Sequence, residues 1–575
     1  MSGLVGTTWI DGVPVFWRDQ PGPLHAQLVF RTGRMDESFV QSGWTHLIEH
    51  LALSTVGRDT HDHNGSTGLL TTSFLAHGTE AEVCNLLRAV CRRLAELPMD
   101  RLDHEQRVLQ IEAEGRAADD TSILALLRYG ALGPGSLVLG EFGAQAPDGQ
   151  SLSDFARSRF SQANAALILS SPPPRGLSLP LPPGETGSTP AARSILGPAR
   201  HARVVGMHAT GLSLEVPRSQ AAQALAEILN QRVVRALRDE AGISYSPFAA
   251  LTRTGADSQH LHVSADSLAE DEPDVARVLV DLLAELGEQG PDAESMDRIA
   301  SRRHGVSDAP EPDLESELEQ HLFPDATRGP HEAPTADDVR ALAGACWAGV
   351  LLGVRQDDAL PEGWDTGERA LLGPLGGELV LQRESTERHT SLLITEEGFE
   401  ISSLLKDPEW EPYGVRWNEV AGVVGYDDGY RRVIRMDASA VTVVPATWLD
   451  GAAIGSAIDA RVEGRVVHLG PRPEWLVTPQ ERSLQDLEEA RRGVASARHN
   501  QGLLKKRAGK AFLLALGAVS AAVLVLGVLV WGIASVAGRV PASFVVALLA
   551  GILVAGYRAS KREDPTTDDE ATPPD

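Results

Sequence analysis

The stretch GWTHLIEHLAL, residues 43–53, places two histidines and a glutamate within five positions of an otherwise apolar segment. On an α-helix, positions i, i+3 and i+4 share a face, so His46, Glu49 and His50 should point in one direction. Zinc favours imidazole nitrogens, and catalytic zinc sites keep one position open for water. The pattern therefore predicts a zinc site that still needs a third protein ligand, although 17 histidines in 575 residues can also produce it by chance.

A second helical stretch, DRLDHEQRVLQIEAEGR at residues 100–116, could supply that ligand. Glu105 and Glu112 lie seven positions apart and therefore share a helix face. A carboxylate from this second helix would complete the coordination. Glu114 is the alternative donor, and it points about 160° away from Glu112 around the helix, so only one of the two can serve with the histidines.

These residues resemble the pitrilysin/insulinase family of zinc peptidases, which includes the mitochondrial processing peptidases and carries an inverted His-x-x-Glu-His motif. NGSTGLLTT, residues 64–72, is similar to the family's Asn-x-x-Thr edge strand, and LRDEAGISYS, residues 237–246, to its Arg and Tyr pattern. The resemblance implies an α+β fold with two related α/β halves, at residues 1–175 and 196–358. A Pro-rich linker at residues 176–195 would join them.

The resemblance assigns the metal ligands and the base. His46, His50 and Glu112 would bind zinc, and Glu49 would be the general base that takes a proton from the attacking water. The interval from His50 to Glu112 is 112 − 50 = 62 positions, which is short for the family. Trimmed loops would explain that interval, and Glu114 stays the competing ligand.

The same resemblance assigns four further site residues. Glu105 would hold a ligand histidine in the correct tautomer, and Asn64 would hold the backbone of the substrate. Arg238 and Tyr245, from the second half, would bind the peptide carbonyl or the tetrahedral oxyanion. Because one chain supplies only one pair of halves, the family architecture implies a homodimer or hetero-oligomer in which these two residues reach the partner's zinc.

Composition excludes some classes of partner. The formal net charge of -27 would repel a polyphosphate, and no basic patch outside the C-terminal region overrides it, so we expect no nucleic-acid partner. Cys84, Cys91 and Cys346 show no CxxC spacing, which favours a reducing compartment and no structural cysteine–zinc site. The first 20 residues lack the pattern of a secretory signal.

The C-terminal region indicates a membrane anchor. Residues 511–537 and 540–557 are uncharged runs of 27 and 18 residues, so 511–557 is predicted to form a transmembrane hairpin. Basic residues flank the runs on their outer sides, at Lys505, Lys506, Arg507, Lys510, Arg558, Lys561 and Arg562. Only Arg539 lies between the runs, so both termini and the catalytic part are predicted to be cytoplasmic in a multi-pass cell-membrane protein.

Three other segments complete the organisation. Residues 376–470 alternate apolar and polar positions between turn signals, and a helix follows. This pattern resembles a pleckstrin-homology-like barrel with a closing terminal helix, although any small β domain with a C-terminal helix would give the same pattern. Residues 478–510 are predicted to be a stalk helix, and residues 558–575 an acidic tail.

Two functions fit these observations. The first is a membrane-anchored zinc metalloendopeptidase that hydrolyses peptides or unfolded segments. The second is a non-catalytic scaffold, in which the same fold serves as an interaction platform at the membrane. The presence of every metal-site residue favours the enzyme, because a scaffold has no physical need for them.

Overall fold

The computed structural model describes residues 5–54, 62–115, 118–304, 314–327, 333–367, 375–385, 390–403 and 412–477. These residues form a mixed α+β structure with strands in four sheets. The predicted stalk helix, transmembrane hairpin and acidic tail, residues 478–575, lie outside the described residues. Among the helices of the described part of the chain, none combines the length and apolar character needed to cross a membrane.

The first half is built on a six-stranded sheet. Its strands are β1 (Val5–Ile10), β2 (Val13–Arg18), β3 (Leu24–Phe30), β4 (Asp62–Thr67), β5 (Thr72–Gly78) and β6 (Ala165–Leu169). Its helices are α1 (Trp44–Leu53), α2 (Glu80–Ala95), α3 (Leu102–Gly115), α4 (Asp120–Tyr129), α5 (Phe142–Gln145) and α6 (Gly149–Arg159). The strand order is β1-β2-β6-β3-β5-β4, so β4 forms one edge of the sheet.

Apolar residues of α1 and α2 account for their position on this sheet. Leu47, Ile48 and Leu51 of α1 are fully buried in the first core. Helix α2 begins at a capping box, in which Thr79 and Glu82 bond each other's backbone amides. The spacing of the buried residues on α1 leaves one face of this helix for the polar side chains predicted from the sequence.

The second half is built on a five-stranded sheet. Its strands are β7 (His201–Val204), β8 (Ala209–Pro217), β9 (Phe248–Arg253), β10 (Ser258–Asp266) and β11 (Leu351–Val354). Its helices are α7 (Gln220–Val233), α8 (Glu272–Gln289), α9 (Ala293–His304), α10 (Leu314–Leu322) and α11 (Ala336–Trp347). A π-helical segment, Val234–Glu240, continues α7.

The two sheets share one topology. The order β2-β6-β3-β5-β4 in the first half corresponds to β7-β11-β8-β10-β9 in the second. Within each of these two five-strand orders, the first pair is parallel and the three others are antiparallel. Helix α1 and helix α7 occupy equivalent places in the chain order. The halves are therefore structural repeats, and only the first carries the histidine pair on this helix.

The predicted linker packs against the first half. Residues 176–195, all of which the structure describes, contain neither helix nor strand. Three of their leucines, Leu177, Leu179 and Leu181, are nevertheless buried in the first core. The regularly spaced leucines attach this irregular backbone to the core.

Helix α4 connects the halves in a way that the sequence did not indicate. It belongs to the first half in chain order but packs on the sheet of the second. Leu124 fits between the cross-strand partners Gly211 and Gly353, where an added Cβ would lie 2.8 and 3.1 Å from its methyl groups. The buried Arg128 donates to Ser213 Oγ at 2.7 Å, which fixes the helix to strand β8.

The C-terminal β domain consists of two four-stranded sheets and one helix. Its elements are β12 (Leu379–Glu384), β13 (Thr390–Thr395), β14 (Gly398–Ser403), β15 (Tyr413–Arg416), β16 (Val420–Gly425), β17 (Arg431–Arg435), β18 (Ala440–Val443), α12 (Ile454–Asp459) and β19 (Val466–His468). The sheets are ordered β12-β13-β14-β15 and β18-β17-β16-β19 and share one apolar core.

This arrangement differs from the predicted barrel. The described strands pair within two separate sheets, and no pairing among them closes the sheets into one barrel. The predicted terminal helix is not terminal, because β19 follows it and pairs parallel with β16. A three-residue strand is too short to show an alternating pattern, so β19 could not be predicted from the sequence.

Candidate metal centre and active site

Helix α1 begins at a tightly packed turn. Gly43 precedes the helix with φ 85°, a left-handed conformation that glycine adopts without strain. The carboxylate of Glu37 accepts from the backbone amides of Gly43 at 2.8 Å and Thr45 at 2.7 Å. An acidic group at a helix N-terminus accepts hydrogen bonds from the free amides and interacts favourably with the positive end of the helix dipole. Glu37 therefore stabilises the start of α1.

The two histidines converge on one carboxylate. His46 and His50 have ring centroids 4.8 Å apart, with the ring planes nearly perpendicular. Their Nε2 atoms lie 3.7 and 3.4 Å from Oε2 of Glu112, which α3 brings in from the side. Glu49 Oε2 lies 3.8 Å from His46 Nε2. The ligand atoms of His46, Glu49 and His50 all lie within 4.8 Å of one another.

Each imidazole is held on its far side by a second carboxylate. His46 Nδ1 lies 3.0 Å from Oε1 of Glu141, and His50 Nδ1 lies 3.6 Å from Oε2 of Glu105. A carboxylate at Nδ1 favours the tautomer with the proton on that nitrogen, which leaves the Nε2 lone pair free for a metal. Glu105, which the sequence predicted to orient a ligand histidine, lies beside His50 beyond hydrogen-bond distance, and Glu141 lies within hydrogen-bond distance of His46.

This donor set fits zinc. Two imidazole nitrogens and one carboxylate are a ligand set of catalytic zinc sites, and here each imidazole also has a carboxylate partner. Strand β4 closes one side of the site at Gly65, where an added Cβ would overlap Oε1 of Glu49. Only glycine lets this backbone approach the glutamate so closely.

The alternative third ligand points elsewhere. Glu114 is exposed, and its carboxylate accepts from Gln110 Nε2 at 3.5 Å on the outer surface of α3. Glu112, by contrast, is the glutamate of this turn that faces the histidines. Of the two candidates that the sequence left open, the geometry therefore favours Glu112.

Glu49 has the electrostatic character of a base that works near neutral pH. Burial raises its pKa to about 7, and the negative charge of Glu112 adds to this effect, while Arg34 opposes it. A carboxylate with a pKa near 7 can both take and release a proton at the pH of most cells.

This raised pKa predicts a pH-dependent stability of the metal-free protein. The folded pKa of about 7 exceeds the unfolded value of 4.5, so the folded state prefers the protonated carboxyl. The resulting stabilisation is full below pH 4.5 and is lost as the pH rises through 7. Because Gln mimics the protonated form, Glu49→Gln should exceed wild type in unfolding free energy by about 3 kcal/mol at pH 8, and by much less at pH 5.

Denaturant unfolding in the presence of a chelator, at pH 5 and pH 8, measures this difference. Glu114→Gln is the matched control, because it removes a charge from an exposed position of the neighbouring helix. A Glu49→Gln difference that is equal at both pH values would contradict the burial of an ionisable carboxyl.

The site opens into a cavity along the edge strand. The cavity has a volume of about 280 Å³, and nine residues line it: Arg34, His46, Glu49, His50, Asn64, Gly65, Ser66, Thr67 and Glu112. Asn64 also lines a larger cavity of about 680 Å³. Asn64 is exposed and lines both cavities.

Arg238 and Tyr245 lie apart from this cavity. Neither is among its lining residues. They lie at the end of the π-helical segment and in the loop that follows, with the Arg238 guanidinium 5.4 Å from the centre of the Tyr245 ring. Tyr245 is 77% exposed. Backbone amides of Tyr245 and Ser246 donate to Asp266, which orders this loop.

Sequence reasoning missed three polar residues around the site. Arg34 lines the cavity and pairs with Glu141, and it also lies 3.9 Å from Glu37. Glu141 is 95 positions from His46 and follows a glycine-rich segment that has no spacing signal. Glu37 precedes α1 by seven positions, and an acidic residue before a helix was the one available signal.

The chain is similar to known proteins in structure, and the sequence comparisons found no match. No protein-family model matches the chain, and no curated protein matches it in sequence. The chain is similar in structure to a protease from Helicobacter pylori, with a TM-score of 0.48 and 16% identity over 61% of this chain and 99% of that one. It is also similar to a peptidase M16 inactive domain from Pseudomonas fluorescens, with a TM-score of 0.49 and 14% identity over 61% and 97%. For pitrilysin the TM-score is 0.47 with 16% identity, over 61% of this chain and 44% of that one.

Proposed function

We propose that this chain is a zinc metalloendopeptidase that hydrolyses peptides or unfolded protein segments. One observation carries the proposal: two histidine Nε2 atoms and the Glu112 carboxylate converge beside the buried Glu49. Each histidine is backed by its own carboxylate at Nδ1. A purely structural cluster would gain nothing from six buried or half-buried ionisable groups, because each group has a desolvation cost.

Strand β4 offers a place for an extended substrate. It is the edge strand beside the site, and no other described strand pairs with its outer side. A peptide added to this edge would make main-chain hydrogen bonds without regard to sequence. The amide of Asn64, at the same edge, would bind the peptide backbone close to Glu49. An unfolded segment suits this edge because its backbone groups are free to pair.

The chemistry follows from the placement of the side chains. His46, His50 and Glu112 would hold zinc, which when bound supplies a Lewis acid for the scissile carbonyl and acidifies a water. Glu49 would take a proton from the attacking water and pass it to the leaving amine. In the metal-free chain, burial raises the pKa of Glu49 to about 7, and the positive charge of bound zinc would lower this pKa and favour the carboxylate form that takes the proton. Glu105 and Glu141 would keep the two imidazoles oriented throughout.

Binding of the oxyanion by Arg238 and Tyr245 requires an assembly of two chains. They do not line the cavity of their own chain, and the Tyr245 ring is exposed. We therefore propose that they stabilise the oxyanion in the site of a second chain, in a homodimer or a hetero-oligomer.

The proposed location is the cytoplasmic face of the cell membrane. It rests on the two uncharged runs within 511–557 and on the basic residues at their outer ends. A protease with this topology would meet cytoplasmic peptides and unfolded segments, including those of membrane-associated proteins.

Digestion of an unfolded protein and of a mixture of synthetic peptides tests the activity. We expect cleavage by the purified full-length chain that stops when a zinc chelator is added and returns when zinc is restored. Mass spectrometry of the products identifies the cut sites. If zinc-loaded protein cleaves none of these substrates, the non-catalytic scaffold becomes the better account.

A further inference from the structure

The β domain packs against the first half, next to the segments that surround Glu141. Its second sheet shares an apolar cluster with the first half, here called the interdomain cluster, which consists of Phe39, Ala131, Ala421, Val424, Tyr426, Tyr430, Ile434 and Val467. Two of these residues, Phe39 and Ala131, belong to the first half, and the rest to the β domain. Apolar burial of this kind holds the two parts of the chain together.

Phe39 is the central contact of the interdomain cluster. It is 7% exposed and lies on Gly422 of strand β16, where an added Cβ would overlap its ring. Strand β16 has a register irregularity between Val420 and Gly422 at this point. A backbone contact reinforces the interface, because the amide of Ala131 donates to the carbonyl of Met436 at 2.9 Å. Phe39 therefore fits a recess that glycine creates in the sheet.

The same cluster flanks Glu141. Leu139 and Phe142, on either side of this glutamate, pack against the interdomain cluster. The Phe39 and Phe142 rings are 6.1 Å apart. On its other side, Glu141 lies against the start of α1, since a Cβ at Gly43 would lie 2.5 Å from the Glu141 Cβ. Glu141 is thus packed between the β domain and the helix that carries the histidines.

Hydrogen bonds join the two segments that the β domain contacts. The amide of Gly143 donates to Ser42 Oγ at 3.0 Å, and the amide of Ala144 donates to the Ser42 carbonyl at 2.9 Å. Ser42, which follows Phe39 by three positions, is thus hydrogen-bonded to the segment that follows Glu141. The carboxylate of Glu141 in turn lies 3.0 Å from His46 Nδ1.

We infer that the β domain is a positioning element of the metal centre, acting from Phe39 through Glu141 on His46. Phe39 touches neither metal nor substrate, so it is a positioning residue. Docking of the second sheet keeps Glu141 at His46 Nδ1 and thereby keeps His46 Nε2 aimed at the metal position. A change in how the β domain docks changes zinc affinity. This inference rests on the zinc site of the proposed function.

The test is the zinc affinity of the full-length chain, measured by competition with a chromophoric chelator. Phe39→Ala should weaken zinc binding by about tenfold or more, because loss of an outer support of a ligand histidine has effects of that size. Phe39→Leu, which keeps most of the apolar volume, should restore most of the affinity. Phe323→Ala is the matched control, since Phe323 is 6% exposed but belongs to a different cluster.

A double-mutant cycle separates positioning from general damage. If Phe39 acts through Glu141, then Phe39→Ala combined with Glu141→Gln should bind zinc as weakly as Glu141→Gln alone, with no further loss. Full additivity of the two effects overturns the inference. If Phe39→Ala does not fold, Gly422→Ala probes the same contact, because its Cβ displaces the Phe39 ring.

The outcomes distinguish this inference from the proposed function. Wild-type protein that binds no zinc overturns both. Wild-type protein that binds zinc, with an unchanged affinity in Phe39→Ala, overturns the positioning role and leaves the proposed peptidase standing.

Discussion

Glu49→Gln should retain zinc and lose peptide hydrolysis by about 10²- to 10⁴-fold, the usual contribution of a general base. The amide has nearly the same shape as the carboxyl group, so it fits beside Gly65, but it cannot take a proton from water. The measurement is kcat/KM with a fluorogenic peptide, on protein whose zinc content is determined in the same preparation. A fall in kcat at unchanged KM would indicate that the lost interaction belongs to the transition state.

Glu114→Gln is the control for this experiment, because the same chemical change is made on an exposed surface of α3. It should leave kcat/KM close to that of wild type. Wild-type activity in zinc-loaded Glu49→Gln, in a preparation free of contaminating protease, would remove Glu49 from the mechanism.

Glu112→Ala should weaken zinc binding by more than about 100-fold, whereas Glu114→Ala should leave it unchanged. Removal of an outer-sphere partner costs about 10- to 100-fold in metal affinity, so removal of a ligand should cost more. The prediction follows from the position of Glu112 Oε2, which lies 3.7 and 3.4 Å from the two histidine Nε2 atoms. Chelator competition titrations at fixed pH give both affinities.

The two glutamates make an unusually direct comparison, since they are two positions apart on one helix. Both variants replace glutamate with alanine on the same helix, so intrinsic helix propensity and net charge change by the same amount in each. Equal zinc affinities in the two variants would mean that Glu112 is not a ligand. A larger loss in Glu114→Ala would reverse the assignment.

Periodic and local features of the site could be predicted from the sequence. The helix with His46, Glu49 and His50 follows from i, i+3 and i+4 spacing, and the structure has it at Trp44–Leu53. The seven-residue spacing of Glu105 and Glu112 likewise placed both on one face of the next long helix, and both lie near the histidines. These predictions depend only on helical geometry, which local sequence determines.

Features that depend on tertiary packing could not be predicted. Glu141 reaches His46 across 95 positions, and nothing near it in the sequence indicates a partner. The burial of Phe39 against Gly422 joins segments that are almost 400 positions apart along the chain. Such contacts arise when separate elements pack, and single-sequence periodicity carries no information about them.

The β domain shows the same limit in its topology. Alternating apolar residues correctly indicated a strand-rich region, but not how its strands divide between two sheets. The short strand β19 pairs with β16 after the helix, so the helix does not end the domain. Strand order is determined by which edges meet in three dimensions, and the pattern of a single strand does not encode it.

The zinc content of the purified full-length chain is the most direct test of the central claim. Metal analysis after dialysis against metal-free buffer should give about one zinc per wild-type chain and per Glu114→Ala chain, with far less in Glu112→Ala. No zinc in the wild-type chain, even after zinc is added back, would contradict a catalytic metal centre at His46, His50 and Glu112.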